Sequence, residues 1–338
     1  MKTRTSLILA VVGGLTLAGG WALGPGSLQG SSMTVAPGTL VFPGMAARLQ
    51  QAARIEITTK GETLHIARNG TAWGLADRDG FRLQGDKLRE LLTGLTELRI
   101  TEPRTSDATQ YGKLGVDDPS AKETTASLLR VLDAKGAPLA ELIVGHRRVR
   151  TAGNVPETLY IRRPGEKQSW LAEGRLPVDA DPQLWFDRDI ANIAKDKIAG
   201  VTVHRGAAEL VFGLADGKPA LLSPAEHPKL DDYKLEDVFR GLEGLTLTEV
   251  RKAEKVPGEK IGSSEIRLAD GAVVEAMVYR DGKDIWAIFA AKGDSVKDLA
   301  QRAAGWAFQL GSWKEQSLVP GLDDIKASEP EAPAKPTQ

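Results

Sequence analysis

The chain has 338 residues, 41% hydrophobic and 26% charged, with 44 Lys and Arg against 45 Asp and Glu and a formal charge of −1 at pH 7. That length suits two ordinary domains, and the near-neutral balance excludes a nucleic-acid binder that works by counterion release from a concentrated basic surface. Cysteine is absent, which excludes disulfides, thiolate nucleophiles and Cys-ligated metal centres and leaves the compartment to be read from the N-terminus.

Residues 1–24 place Lys2 and Arg4 ahead of an apolar run from Leu7 to Leu23. Such a segment targets a membrane, and the preceding positive charge puts the body on the far side of it. Seventeen residues at about 1.5 Å each reach roughly 25 Å, slightly short of a bilayer core of about 30 Å. A retained transmembrane anchor and a cleaved signal both remain open: Trp21 suits an anchor's interfacial end, whereas Leu17-Ala18-Gly19 is a site that a peptidase accepts. Residues 25–39 read as a flexible Gly/Ser/Pro linker. Residues 328–338, with three prolines and no large apolar side chain, read as a disordered tail.

Between them, residues 40–180 and 181–327 are expected to form two lobes. In the first, Arg54–Thr58, Thr63–Ala67 and Thr71–Leu75 alternate as half-buried strands joined by Gly61 and Asn69-Gly70, an antiparallel meander. A helix capped by Asp86 follows, with Leu88, Leu91, Leu92, Leu95 and Leu98 on one stripe. Each of those leucines contributes roughly 1.5–3 kcal/mol when buried. Ser127–Leu132, Leu139–Val144, Leu159–Arg162 and Ser169–Ala172 complete the strands.

The second lobe repeats the plan. Lys234–Arg251, KLEDVFRGLEGLTLTEVR, matches Lys87–Arg104, KLRELLTGLTELRITEPR, at eight of eighteen positions, 147 residues apart, and such self-similarity declares a repeated supersecondary unit. Strands are expected at Gly200–Val203, Glu209–Phe212, Glu265–Leu268, Val273–Tyr279 and Ile285–Ala290, a helix carrying Leu235, Val238, Phe239, Leu242 and Leu245, and a closing helix over Ser295–Trp313. The predicted fold class is α+β: two tandem repeated lobes, each an antiparallel sheet with helices packed on one face, behind an N-terminal transmembrane helix.

Residues that carry chemistry are scarce. His65, His146, His204 and His227 are scattered without metal-ligand spacing. The acidic pairs Asp117-Asp118, Asp179–Asp181, Asp231-Asp232 and Asp323-Asp324 sit beside turn formers and read as caps. No nucleophile elbow, phosphate loop or dinucleotide fingerprint occurs. The expectation is therefore a non-enzymatic protein without cofactor or metal. Two features rise above packing as candidate partner or ligand contacts: the basic run His146–Arg150, with Arg147, Arg148 and Arg150 facing an acidic partner or anionic lipid, and Trp185 with Trp313, as core or inter-lobe packing or as the stacking wall of a cleft.

Phe42-Pro43-Gly44, Trp73, the Leu-rich helix, Tyr111-Gly112 through Gly115 to Asp118-Pro119, the strand ending at Gly145, and Trp185-x-Asp187-Arg188 together resemble the domain-of-unknown-function family 4340 over about residues 40–327, with Lys113 as one departure in the Tyr-Gly turn. The resemblance implies a single-pass, periplasm-facing protein of the bacterial inner membrane, found beside the permease, ATPase and auxiliary subunit of a gliding-motility-type ABC transporter, and it carries no catalytic residues. The expected function is a membrane-tethered periplasmic accessory or scaffold protein of an ABC-type export or cell-envelope system; the alternative is an envelope glycan- or lipid-binding module that uses a cleft between the lobes.

Overall fold

A computed structural model describes residues 36–148 and 156–327. The N-terminal apolar segment and the C-terminal tail lie outside these residues, and among the described ones no helix is long and apolar enough to cross a membrane. The first lobe supplies β1 (Ala52–Thr59), β2 (Glu62–Asn69), β3 (Ala72–Leu75), β4 (Phe81–Arg82), β5 (Arg99–Pro103), β6 (Ser127–Asp133), β7 (Pro138–Arg148), β8 (Thr158–Arg162) and β9 (Ser169–Glu173). The rest supplies β10 (Asp189–Ala191), β11 (Ile198–Arg205), β12 (Ala208–Ala215), β13 (Lys218–Ser223), β14 (Leu245–Thr246), β15 (Glu249–Lys252), β16 (Glu259–Leu268), β17 (Val273–Asp281), β18 (Asp284–Lys292) and β19 (Trp306–Leu310). The helices are α1 (Met45–Arg48), α2 (Gly85–Glu97), α3 (Tyr111–Leu114), α4 (Asp232–Phe239), α5 (Lys297–Ala303) and α6 (Lys314–Leu318).

The strands form two large antiparallel sheets, β4-β3-β2-β1-β6-β7-β8-β9-β5 and β13-β12-β11-β16-β17-β18-β19-β15, with β10 and β14 as a separate pair. Leaving out β4, the two orders correspond strand for strand, and α2 and α4 each carry the chain from one edge of a sheet to the other. Registers agree as well. Ile55 on β1 stands opposite Ile66 and Val131, and Val201 on β11 stands opposite Phe212 and Ile266. All six side chains are buried, because a strand with one face on the core must place every second residue there.

The helices follow the apolar stripe, with corrections. Leu88, Leu91, Leu95 and Leu98 are buried under α2 as expected, but Asp86 is not its cap: the helix starts after Gln84, and Asp86 lies in the first turn beside Arg89, where a carboxylate favours the N-terminal dipole. The cap appears at the equivalent position of the second lobe, where Asp231 accepts from the backbone N–H groups of Tyr233 and Lys234. Helix α4 stops at Phe239, so Leu242 and Leu245 lie beyond it while keeping their burial. The helix expected over Ser295–Trp313 is also shorter. Only Lys297–Ala303 is α-helical; Gly305 takes φ +76° and the chain continues as β19, with Trp306, Phe308 and Leu310 alternating as a strand does. Strands β4, β5, β10, β13, β14 and β15 have no counterpart among the elements expected from sequence.

The lobes bury the surface through which they meet. Phe81, fully enclosed on β4, lies edge-on to Phe186, Trp306 and Phe308 at 5.9, 5.0 and 6.2 Å, a geometry aromatic rings favour. Around it Arg78 grips Glu249 with two hydrogen bonds of 2.7 and 2.8 Å. Arg82 pairs with Asp187 at 2.8 Å and donates to the carbonyls of Arg302 and Asp189.

Candidate partner-binding groove

Most of the residues shared by the two copies do the same work in each. Lys87 Nζ donates to Leu184 O at 3.1 Å and Lys234 Nζ to Lys326 O at 2.9 Å, both in the segment that leaves the last central strand of its sheet. Thr101 Oγ1 donates to Leu171 O on β9, and Thr248 Oγ1 to Gln309 O on β19. Arg104 lies over the Tyr160 ring of β8 at 5.7 Å and Arg251 over the Trp286 ring of β18 at 5.3 Å, a cation–π contact in each lobe. Leu88, Leu95 and Leu98 are buried, as are Leu235, Leu242 and Leu245. Gly94 and Gly241 are where the departing segment crosses the helix side: a Cβ on Gly94 would stand 2.1 Å from Arg175 O, and one on Gly241 3.2 Å from Ser317 O. Only the glutamates diverge. Glu102 pairs with Arg104, whereas Glu249 turns across the lobe junction to Arg78.

The shared residues therefore hold the module together, and the candidate site lies beside them. An open groove of about 730 Å³ runs in the first lobe between the N-terminal half of α2, the ends of β6, β7 and β8, and residues 175–188. Pro177, Val178 and the exposed Leu184 give it an apolar side. Lys87, Arg147, Arg175 and Arg188 line it with positive charge, against Asp86, Glu90 and Asp179. Arg175 contacts Glu90, Lys87 Nζ is 3.4 Å from Asp179, and Arg147 Nη1 is 3.5 Å from Glu157. Arg188 donates Nε to Leu247 O at 3.1 Å and has no carboxylate partner among the described residues.

Of the residues singled out from sequence, Arg147 faces this groove. Arg148 borders a separate hollow of about 280 Å³ with Glu102 and Arg104, and Arg150 lies outside the described residues. Trp185 is fully enclosed; its indole N–H donates to Asp179 O at 2.8 Å and Lys87 Nζ sits 4.6 Å over its ring. It offers no face to a ligand, and the inter-lobe contact beside it is packed rather than open. Trp313 is 72% exposed with its ring against Gly311, and with Trp185 enclosed the two tryptophans do not form a cleft wall. The acidic pairs serve as turns and caps: Asp118 accepts from Ser120 N, Asp181 from Gln183 N and Asp324 from Gly321 N. Among the described residues no group of three or more His, Asp or Glu is arranged to hold a metal ion.

The groove was invisible to residue-by-residue reading because its walls come from five separated stretches. One signal was available: Lys87 is repeated as Lys234, and the segment it tethers forms one wall.

The family model described as Domain of unknown function (DUF4340) matches residues 73–262. No curated protein and no solved structure matches the chain.

Proposed function

The chain belongs to the domain-of-unknown-function family DUF4340, and we propose that it is a non-enzymatic accessory or scaffold protein, tethered to the bacterial inner membrane by its N-terminal segment, that serves an ABC-type export or cell-envelope system by binding protein partners on the periplasmic side. The observation that carries the reading is the pairing of an apolar leader behind Lys2 and Arg4 with a body whose repeated residues, Glu249 apart, each act inside their own module. A polar groove beside that scaffold is a surface for recognition. The partners in this reading are a permease, its ATPase and a gliding-type auxiliary subunit.

Capture of the full-length chain from bacterial membranes in mild detergent is the test. Co-isolation of a permease and its ATPase in fixed ratio is expected; their absence, or digestion of the body by protease supplied only from the cytoplasmic side, overturns the reading. An envelope glycan or lipid seated between the lobes is the weaker alternative, since Phe81 and its neighbouring rings fill that contact.

A further inference from the structure

The two modules differ where the segment leaving the last central strand passes the sheet. In the second lobe the walls meet. Val319 is fully buried and packs on Gly262, whose Cβ, if present, would stand 3.3 Å from Val319 Cγ1. Arg205 on β11 fastens the same segment, donating to Val319 O at 2.7 Å and to Glu315 at 2.8 Å, with Asp324 3.3 Å away. The shared registers make Ser127 the first-lobe equivalent of Gly262 and Thr59 that of Arg205. Thr59 and Ser127 satisfy each other at 2.7 Å, and among the described residues the walls stay apart as the groove. One copy of the module closes this gap with its own chain, and the other leaves it open.

We propose that the open groove of the first lobe is the docking site for a short acidic segment of a partner protein, with an aliphatic side chain against Pro177, Val178 and Leu184 and a carboxylate at Arg147 and Arg188. The proposal rests on the accessory reading above and gives the place at which that partner binds. Its physical basis is charge and shape. Four cations line the groove against three carboxylates, and the Arg147–Glu157 contact is loose enough that Glu157 Oε2, buried, accepts no hydrogen bond. Arginine at such a rim offers a carboxylate paired, charge-assisted donors. The volume lies in the range of about 300–1,000 Å³ typical of ligand sites, room for a short peptide stretch rather than a domain.

The experiment presents random octapeptides on phage to the immobilised full-length chain in detergent micelles, then measures a synthetic copy of the enriched peptide by fluorescence anisotropy. Enrichment of peptides that pair Asp or Glu with Leu, Ile or Val is expected. Arg147→Glu with Arg188→Glu should weaken the synthetic peptide about tenfold or more, as loss of charge-assisted bonds does, and a Lys-for-Glu version of the peptide should regain binding to that variant. Should the charge reversal impair folding, Arg147→Gln with Arg188→Gln is read in its place. Absence of enrichment, enrichment without acidic residues, or binding indifferent to the substitutions overturns the proposal. Membrane capture separates the two claims: a transporter retained by the double variant as well as by the wild type leaves the accessory reading standing and removes the groove from it.

Discussion

Replacing Gly94 by alanine tests the account of the repeat directly. Gly94 lies inside α2, where glycine costs about 1 kcal/mol relative to alanine, so propensity alone predicts stabilisation of that size. The structure predicts the opposite. The new methyl would stand 2.1 Å from Arg175 O and 3.0 Å from Leu176 Cδ2; relief to an ordinary carbon–oxygen contact of about 3.3 Å requires the crossing segment to move by about 1 Å. Overpacking of this kind costs about 1–3 kcal/mol and sometimes more. Set against the helix gain, the net effect is a loss of up to about 2 kcal/mol, or a fall of up to about 8 °C in melting temperature for a body of this size. Gly241→Ala is the internal control: its nearest contacts are 3.2–3.3 Å, a few tenths of an ångström of movement accommodates them, and it should stay within about 0.5 kcal/mol of wild type. Urea titrations followed by far-ultraviolet circular dichroism compare the two. A Gly94→Ala protein as stable as wild type or more so would refute the crossing as the reason for the glycine.

Phe81→Ala removes a fully buried ring between the lobes, should cost about 3–5 kcal/mol, and should split a single calorimetric unfolding transition into two; one undivided transition at the wild-type temperature would count against the coupling. A double-mutant cycle on Arg78 and Glu249, whose side chains are 29% and 23% exposed, should return a coupling of about 1 kcal/mol, a bidentate pair discounted for solvent screening; additive losses would remove the pair from the interface. At Glu315, burial pushes the carboxyl up but hydrogen bonds from Arg280 and Arg205 outweigh it and hold it below the ordinary glutamate value. Its contribution is therefore complete above the unfolded value of about 4.3 and is lost as pH falls through the lower folded value. Glu315→Gln should flatten the acid limb of a stability–pH curve, and a variant curve parallel to wild type below pH 4.5 would contradict this.

Alternation at Ile55 and Ile57 and the Asn69-Gly70 turn were enough to place the first meander, since a half-buried strand imposes a period of two on the sequence. The duplicated leucines likewise marked the helix faces. What local pattern missed was set by distant partners. β5 is a strand because it pairs with β9, and β4 is two residues held by β3 on one side and the second lobe's aromatic rings on the other. At Ser295–Trp313, Val296, Leu299 and Ala303 satisfied a helical period that Trp306 and Leu310 also fit, so periodicity alone read through a glycine where the chain changes structure. Trp185 was legible as a large ring at the junction, but whether such a ring is enclosed depends on Lys87, far from it in sequence, as well as on the neighbouring Asp179.

The Phe81 plug also makes the two copies of the module unequal partners. By the backbone bonds that match Asp187 with Arg82 and Ala327 with Lys229, the second lobe carries Pro228 where the first carries Phe81, in an exposed stretch without an aromatic side chain. The aromatic lock between the modules is thus one-sided: the first copy supplies the wedge, and the matching edge of the second copy ends in a proline.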